Sequence, residues 1–165
     1  MQVYILLSLI YIKLKKVILL KCLKEGIIMS EEDCIFCKII EGQIPSYKIY
    51  EDDSILAFLD IFPISYGHTI VIPKKHYYNF LDMPDDEMST FFKELKNISK
   101  MIKTKLNIDG FNIVQNNFPA AGQVIPHLHF HIIPRMKGDD PLRMNQSKNQ
   151  AKEEDLKEII KKLRN

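Results

Sequence analysis

The sequence predicts an α+β fold, a mostly antiparallel five-stranded sheet with one long helix and a short N-terminal helix. Three observations carry that prediction. Short apolar runs bounded by Pro, Gly and Asp recur at strand spacing, at Tyr47 to Glu51, Ser54 to Leu59, His68 to Ile72, Phe111 to Gln115 and Pro126 to Pro134. One long stretch instead repeats at helical spacing, with Met88, Phe91, Phe92, Leu95, Ile98, Met101 and Ile102 on one stripe. Finally, 165 residues suit one domain with a real core, and no internal repeat or low-complexity linker divides them.

Taken in order, residues 1–28 stand apart. Met1 to Ile12 is nearly all apolar, but Lys13, Lys15 and Lys16 end the run before the roughly 18–20 residues that cross a bilayer. No positive charge precedes it and no small-residue cleavage site follows, so it also makes a poor signal peptide. The expectation is a start-site extension, with Met29-Ser30-Glu31-Glu32 as the true beginning; a membrane anchor is the alternative. Residues 29–165 then form the working domain. Without the leader, 18 basic face 20 acidic side chains, a net charge of −2, so general affinity for nucleic acid is not expected.

Cys34 to Ile40 has apolar residues at 35, 36, 39 and 40, a helical spacing stopped by Gly42. Asp52 and Asp53 join the first two strands as a hairpin, Asp60 to Gly67 is a loop, and Pro73 closes the third strand. Pro84 and a first turn of acids open the long helix, predicted from about Met83 to Leu106. After the fourth strand a Gly- and Pro-containing loop, Asn116 to Val124, leads into the fifth. Lys152 to Leu163 reads as a charged helix with a stripe of Leu156, Ile159, Ile160 and Leu163.

The fifth strand carries His127, His129 and His131, three of the five histidines, at two-residue spacing. An extended chain points all three imidazoles to one face and Leu128, Phe130 and Ile132 to the other. As core filler they are implausible, since each ring brings nitrogens that need partners. A metal-dependent hydrolase with three histidine ligands would want a carboxylate nearby, and none lies between Pro126 and Pro134. A nucleophile array fits better, one imidazole attacking phosphorus while a neighbour manages oxygen and proton. Cys34 and Cys37 form a C-x-x-C outside any thioredoxin-like context. A metal role is favoured over a disulfide, with two buried thiols and no metal as the plain alternative. His76 and one member of the histidine strand are available to complete four ligands.

His127-Leu128-His129-Phe130-His131-Ile132-Ile133 resembles the motif of the histidine triad (HIT) family, and Cys34 to Ile40, Glu51 to Asp60, Gly67 to His76 and Asn116 to Arg135 resemble its Hint branch, the protein kinase C-interacting protein group. The resemblance implies a purine nucleotide phosphoramidase or nucleotidyl hydrolase working at the α-phosphate. It implies His129 as nucleophile, His131 and His68 as partners at the phosphate, and His127 as support. It implies an apolar base slot of Ile35, Phe36, Ile39, Phe58 and Ile61, Asp60 on the ribose, and Asn116, Gly122 and Gln123 on the phosphate-side loop. Asp60, at a strand end, is expected to face a cleft. Val124 stands where many Hint proteins carry Ser. Similarity to zinc-containing bacterial members implies a structural zinc on Cys34, Cys37, His76 and His127. A cytoplasmic homodimer is implied as well. A dinucleoside polyphosphate hydrolase of the Fhit type shares the motif, whereas the transferase branch usually has Gln at the position of His131. A nucleotide-binding interaction module with incidental hydrolysis is the non-enzyme alternative.

Overall fold

The structure, a computed structural model, describes residues 33–142, 144 and 149–164. Residues 1–28, and with them the expected leader, lie outside the described residues. In chain order the elements are α1 (Ile35–Ile40), β1 (Lys48–Glu51), β2 (Ile55–Leu59), β3 (Thr69–Pro73), α2 (Asp85–Lys105), β4 (Gly110–Val114), β5 (Phe130–Arg135) and α3 (Glu153–Arg164). The five strands form one antiparallel sheet in the order β1-β2-β3-β5-β4.

Local chemistry sets the boundaries. Gly42, at φ 76°, takes the left-handed conformation that ends α1. The β1–β2 turn is held by the Asp52 carboxylate, which accepts from the backbone N–H of Ser54 (2.8 Å) and Ile55 (2.7 Å). Pro84 caps α2, and Asp85, Asp86 and Glu87 fill a first turn where backbone N–H groups are unpaired and the dipole is positive.

Strand alternation sorts the core into two clusters. Ile55, Ala57, Leu59 and Val71 face α2, where they meet Phe91, Leu95, Ile98 and Ile102. Leu56, Phe58, Ile70 and Ile72 face the other way, onto Ile35, Phe36 and Ile39 of α1. Both faces of β2 and β3 are covered, which is why their sequences are continuously apolar rather than alternating. The C-terminal helix α3 buries Leu156, Ile159 and Leu163 in the larger cluster. It is tied down where the Lys105 ammonium donates to the Leu163 carbonyl (2.8 Å) and Arg164 to the Lys48 carbonyl (3.0 Å).

One element differs from expectation. Regular strand begins at Phe130, not Pro126, so His127 to His129 precede the ladder. The last pair between β3 and β5 is Val71↔Phe130. Beyond it the backbone turns to other partners: His127 N–H donates to the Ile125 carbonyl (2.9 Å) and Leu128 N–H to the Tyr77 carbonyl (2.6 Å). The alternation survives the loss of pairing, since Leu128, Phe130 and Ile132 all enter the larger core cluster.

Candidate active site

Two histidine-rich groups flank the start of β5. In the first, Cys34 and Cys37 from the start of α1 meet His76, which follows β3, and His127. Their ligand atoms all lie within 4.8 Å of one another. Cys34 Sγ is 3.4 Å and Cys37 Sγ 3.6 Å from His127 Nδ1, and Cys37 Sγ is 3.3 Å from His76 Nδ1. Tetrahedral zinc, with Zn–S about 2.3 Å and Zn–N about 2.0–2.1 Å, requires sulfur–nitrogen edges of about 3.5 Å. The donor set therefore fits zinc in both chemistry and size. The opposite nitrogen of His127 lies 2.9 Å from the Pro73 carbonyl. A carbonyl only accepts, so the proton sits on Nε2 and Nδ1 offers its lone pair to the thiol side. Burial pushes His127 down to about 3, opposed by the Pro73 hydrogen bond, so the ring is neutral as a ligand must be.

The second group is wired differently. Ile64 N–H donates to His68 Nδ1 (3.1 Å), so the His68 proton is on Nε2. That nitrogen is 2.9 Å from His131 Nδ1, which must accept, and the His131 proton is consequently on Nε2. His68 is pushed down to about 3 by burial, helped by the positive charge of Arg135, so it acts here as a neutral donor. Asp60 Oδ2 is 3.6 Å from His68 Nδ1, while Oδ1 accepts from Phe62 N–H at 2.8 Å.

Between the groups sits His129. Its Nδ1 is 2.6 Å from the His127 carbonyl, which fixes the proton there and makes Nε2 the basic, nucleophilic atom of the ring. Its ring centroid is 5.1 Å from that of His131 and 5.4 Å from that of Phe36. Phe36 also packs edge-on against His127 (5.8 Å), so α1 touches both the metal-type cluster and the His129 imidazole.

A cavity of about 480 Å³ opens on this face, lined among others by Phe36, Asp60, Asn116, Gly122, His129 and His131. A narrower slot of about 70 Å³ adjoins it through Phe36, Asp60 and Ile70. Its walls include Ile35, Phe36, Ile39, Phe58, Asp60 and Ile61. The base-slot residues named from sequence are thus brought together, as are the histidines and the four zinc-type ligands.

Gln123 and Asp60 are both engaged by groups of the protein itself. Gln123 is absent from the cavity lining: its side-chain N–H₂ donates to the Tyr78 (2.6 Å) and Ile125 (3.1 Å) carbonyls, and its oxygen accepts from Phe118 N–H (2.7 Å). The amide is spent bracing the loop. That brace holds Phe118 at φ 65°, ψ 158°, a region that normally suits glycine. Asp60 lines both cavities but is only 3% exposed, because its carboxylate folds back onto Phe62 N–H. Other contributors were not readable in advance. Ile64 orients His68 through its backbone alone, and Met144 reaches the cavity from the segment after β5.

The HIT domain family model matches residues 41–138. A HIT-like protein of Methanocaldococcus jannaschii is 54% identical over 127 residues, 76% of this chain and 98% of that one. An adenosine 5′-monophosphoramidase of Candida albicans is 43% identical over 110 residues, 64% of this chain and 72% of that enzyme. The crystal structure of a zinc-bound histidine triad family protein from Mycobacterium smegmatis superposes with a TM-score of 0.69 at 33% identity, covering 82% of this chain and 96% of that one. With the motif, the sheet and these matches in agreement, the chain belongs to the histidine triad family.

Proposed function

We propose that this protein is a purine nucleotide phosphoramidase, a nucleotidyl hydrolase that works through a covalent intermediate on His129. The observation that carries the reading is the fixed tautomer of that ring, with Nδ1–H held by the His127 carbonyl beside a cavity of nucleotide size. His129 Nε2 forms the bond to the α-phosphorus and the bond from phosphorus to the leaving amine breaks. The Nε2–H of His131, backed by His68, donates to the phosphate oxygens, and the leaving amine takes its proton from solvent water. Water then attacks the phosphorus, the phosphorus–His129 bond breaks, and the attacking water's proton returns to solvent. The products are an amine and a nucleoside monophosphate.

The base stacks in the slot formed by Ile35, Phe36, Ile39, Phe58 and Ile61. Asp60 accepts from the ribose hydroxyls once its carboxylate turns toward the cavity, and Asn116 and Gly122 border the phosphate side. The activity in the name of the Candida relative supports this substrate class. Cys34, Cys37, His76 and His127 would hold a zinc ion with protein atoms alone, and its contribution would be to hold α1 against the start of β5. Two chains pair along β4, which is a sheet edge bearing Ile113 at 46% exposure. Mass spectrometry after brief exposure to adenosine 5′-phosphoramidate tests the reaction. An adenylyl adduct on His129 is expected; steady turnover with no adduct in a rapidly quenched sample argues against the covalent route.

A further inference from the structure

The slot that the proposed function assigns to the base is apolar but for two residues, Asp60 and Ser46. Asp60 is committed to the ribose in that reading and to Phe62 N–H in the free protein. Ser46 stands between Pro45 and the start of β1, and its hydroxyl Oγ is buried with no hydrogen-bond partner among the described residues. Native folds rarely leave a buried hydroxyl unsatisfied, because water is lost and nothing replaces it. Ser46 lines the slot while its Oγ is closed to solvent in the free protein, so the partner it lacks is one that reaches it when the slot adjusts to a ligand.

We infer that Ser46 is the polar anchor of the base slot, hydrogen-bonding a heteroatom on the edge of the nucleobase. The chemistry of the ligand supports this. The faces of a purine are served by the aromatic and aliphatic walls, Phe36 and Phe58 meeting edge-on at 5.7 Å. The rim of a purine, however, carries ring nitrogens and an exocyclic amine or carbonyl. Buried among Ile and Phe alone, such an atom loses water without compensation. A hydroxyl donates to a ring nitrogen or carbonyl and accepts from an amine, so Ser46 serves both adenine and guanine. It gives affinity for a base without choosing between the two.

This inference rests on the nucleotide reading, and the experiment separates the two. Dissociation constants for AMP and for ribose 5-phosphate are measured by calorimetry with the native chain and with Ser46→Ala, alongside the unfolding midpoint of each free protein. Ser46→Ala is expected to weaken AMP about two- to tenfold, the range for one net hydrogen bond, and to leave ribose 5-phosphate unchanged. The free variant should unfold at the same temperature or higher, since an unsatisfied hydroxyl has been removed. Unchanged AMP affinity, or equal weakening of both ligands, overturns the role of Ser46. If the native chain binds no AMP, the nucleotide reading falls and Ser46 with it.

Discussion

The two histidine clusters use the same ring in opposite ways. Around Cys34 and Cys37 the imidazoles converge: His76 and His127 both turn Nδ1 toward the thiols, and His127 is locked from behind by the Pro73 carbonyl. Around the cavity they run in series: Ile64 N–H to His68, His68 to His131, and onward to the Nε2–H of His131. Convergent lone pairs make a place for a cation, and a directed row of donors makes a place for an anion. A single residue, Leu128, separates His127, which belongs to the first arrangement, from His129, which stands beside the second. The difference lies less in residue type than in which backbone group holds the far nitrogen.

Four perturbations break or sharpen this contrast. The largest is expected from His129→Ala, which should lower turnover of a nucleoside phosphoramidate by on the order of 10³-fold or more while nucleotide binding persists. Retention of turnover would remove His129 as nucleophile. Next, prolonged chelation should lower the unfolding midpoint by roughly 10 °C or more, the scale of several kcal/mol lost with a structural metal. If metal analysis of the native protein finds no zinc and chelation changes nothing, the convergent cluster is simply two thiols and two imidazoles in a core.

A smaller effect is expected from Gly67→Ala. Gly67 has φ 83°, and an added methyl would collide with the Leu106 side chain, so about 1–3 kcal/mol of stability should be lost. Because Gly67 adjoins His68 and not the thiols, zinc content should hold while activity falls; parallel loss of both would mean the clusters are not separable.

The last test is pH dependence. The folded His68 is pushed down to about 3 from an ordinary 6.5, so the unfolded chain binds the proton more readily. Its stabilising contribution is complete above pH 6.5 and is lost as pH falls toward about 3, by up to about 1.4 kcal/mol per pH unit. Denaturation of His68→Gln across that window should show a shallower acid limb than the native chain; identical slopes would mean that His68 is not held neutral.

Much of this was legible in the chain. The H-φ-H-φ-H run needed only period-two geometry to separate imidazoles from Leu128, Phe130 and Ile132, and that separation holds even where no ladder forms. The long stripe of α2 and the stop at Gly42 were equally local. What local pattern could not convey was the state of polar groups whose partners come from far along the chain. The family resemblance put Gln123 on the phosphate-side loop with Asn116 and Gly122, and in the folded chain the carbonyls of Tyr78 and Ile125 take its amide N–H groups. Asp60 lines both cavities at its strand end, and its carboxylate is also held by Phe62 N–H, a partner that residue type alone does not announce.

By itself, then, the sequence determined the class of fold, the sheet and its principal helix, and which histidines share one face of the chain, since these follow from periodicity and residue type. The tertiary structure alone decided where each proton sits. Pro73, Ile64 and the His127 carbonyl assign the tautomers of His127, His68 and His129, and each does so with a backbone group. A backbone carbonyl or N–H is the same in every residue, so no choice of amino acid announces it; only the folded path of the chain brings it to the ring.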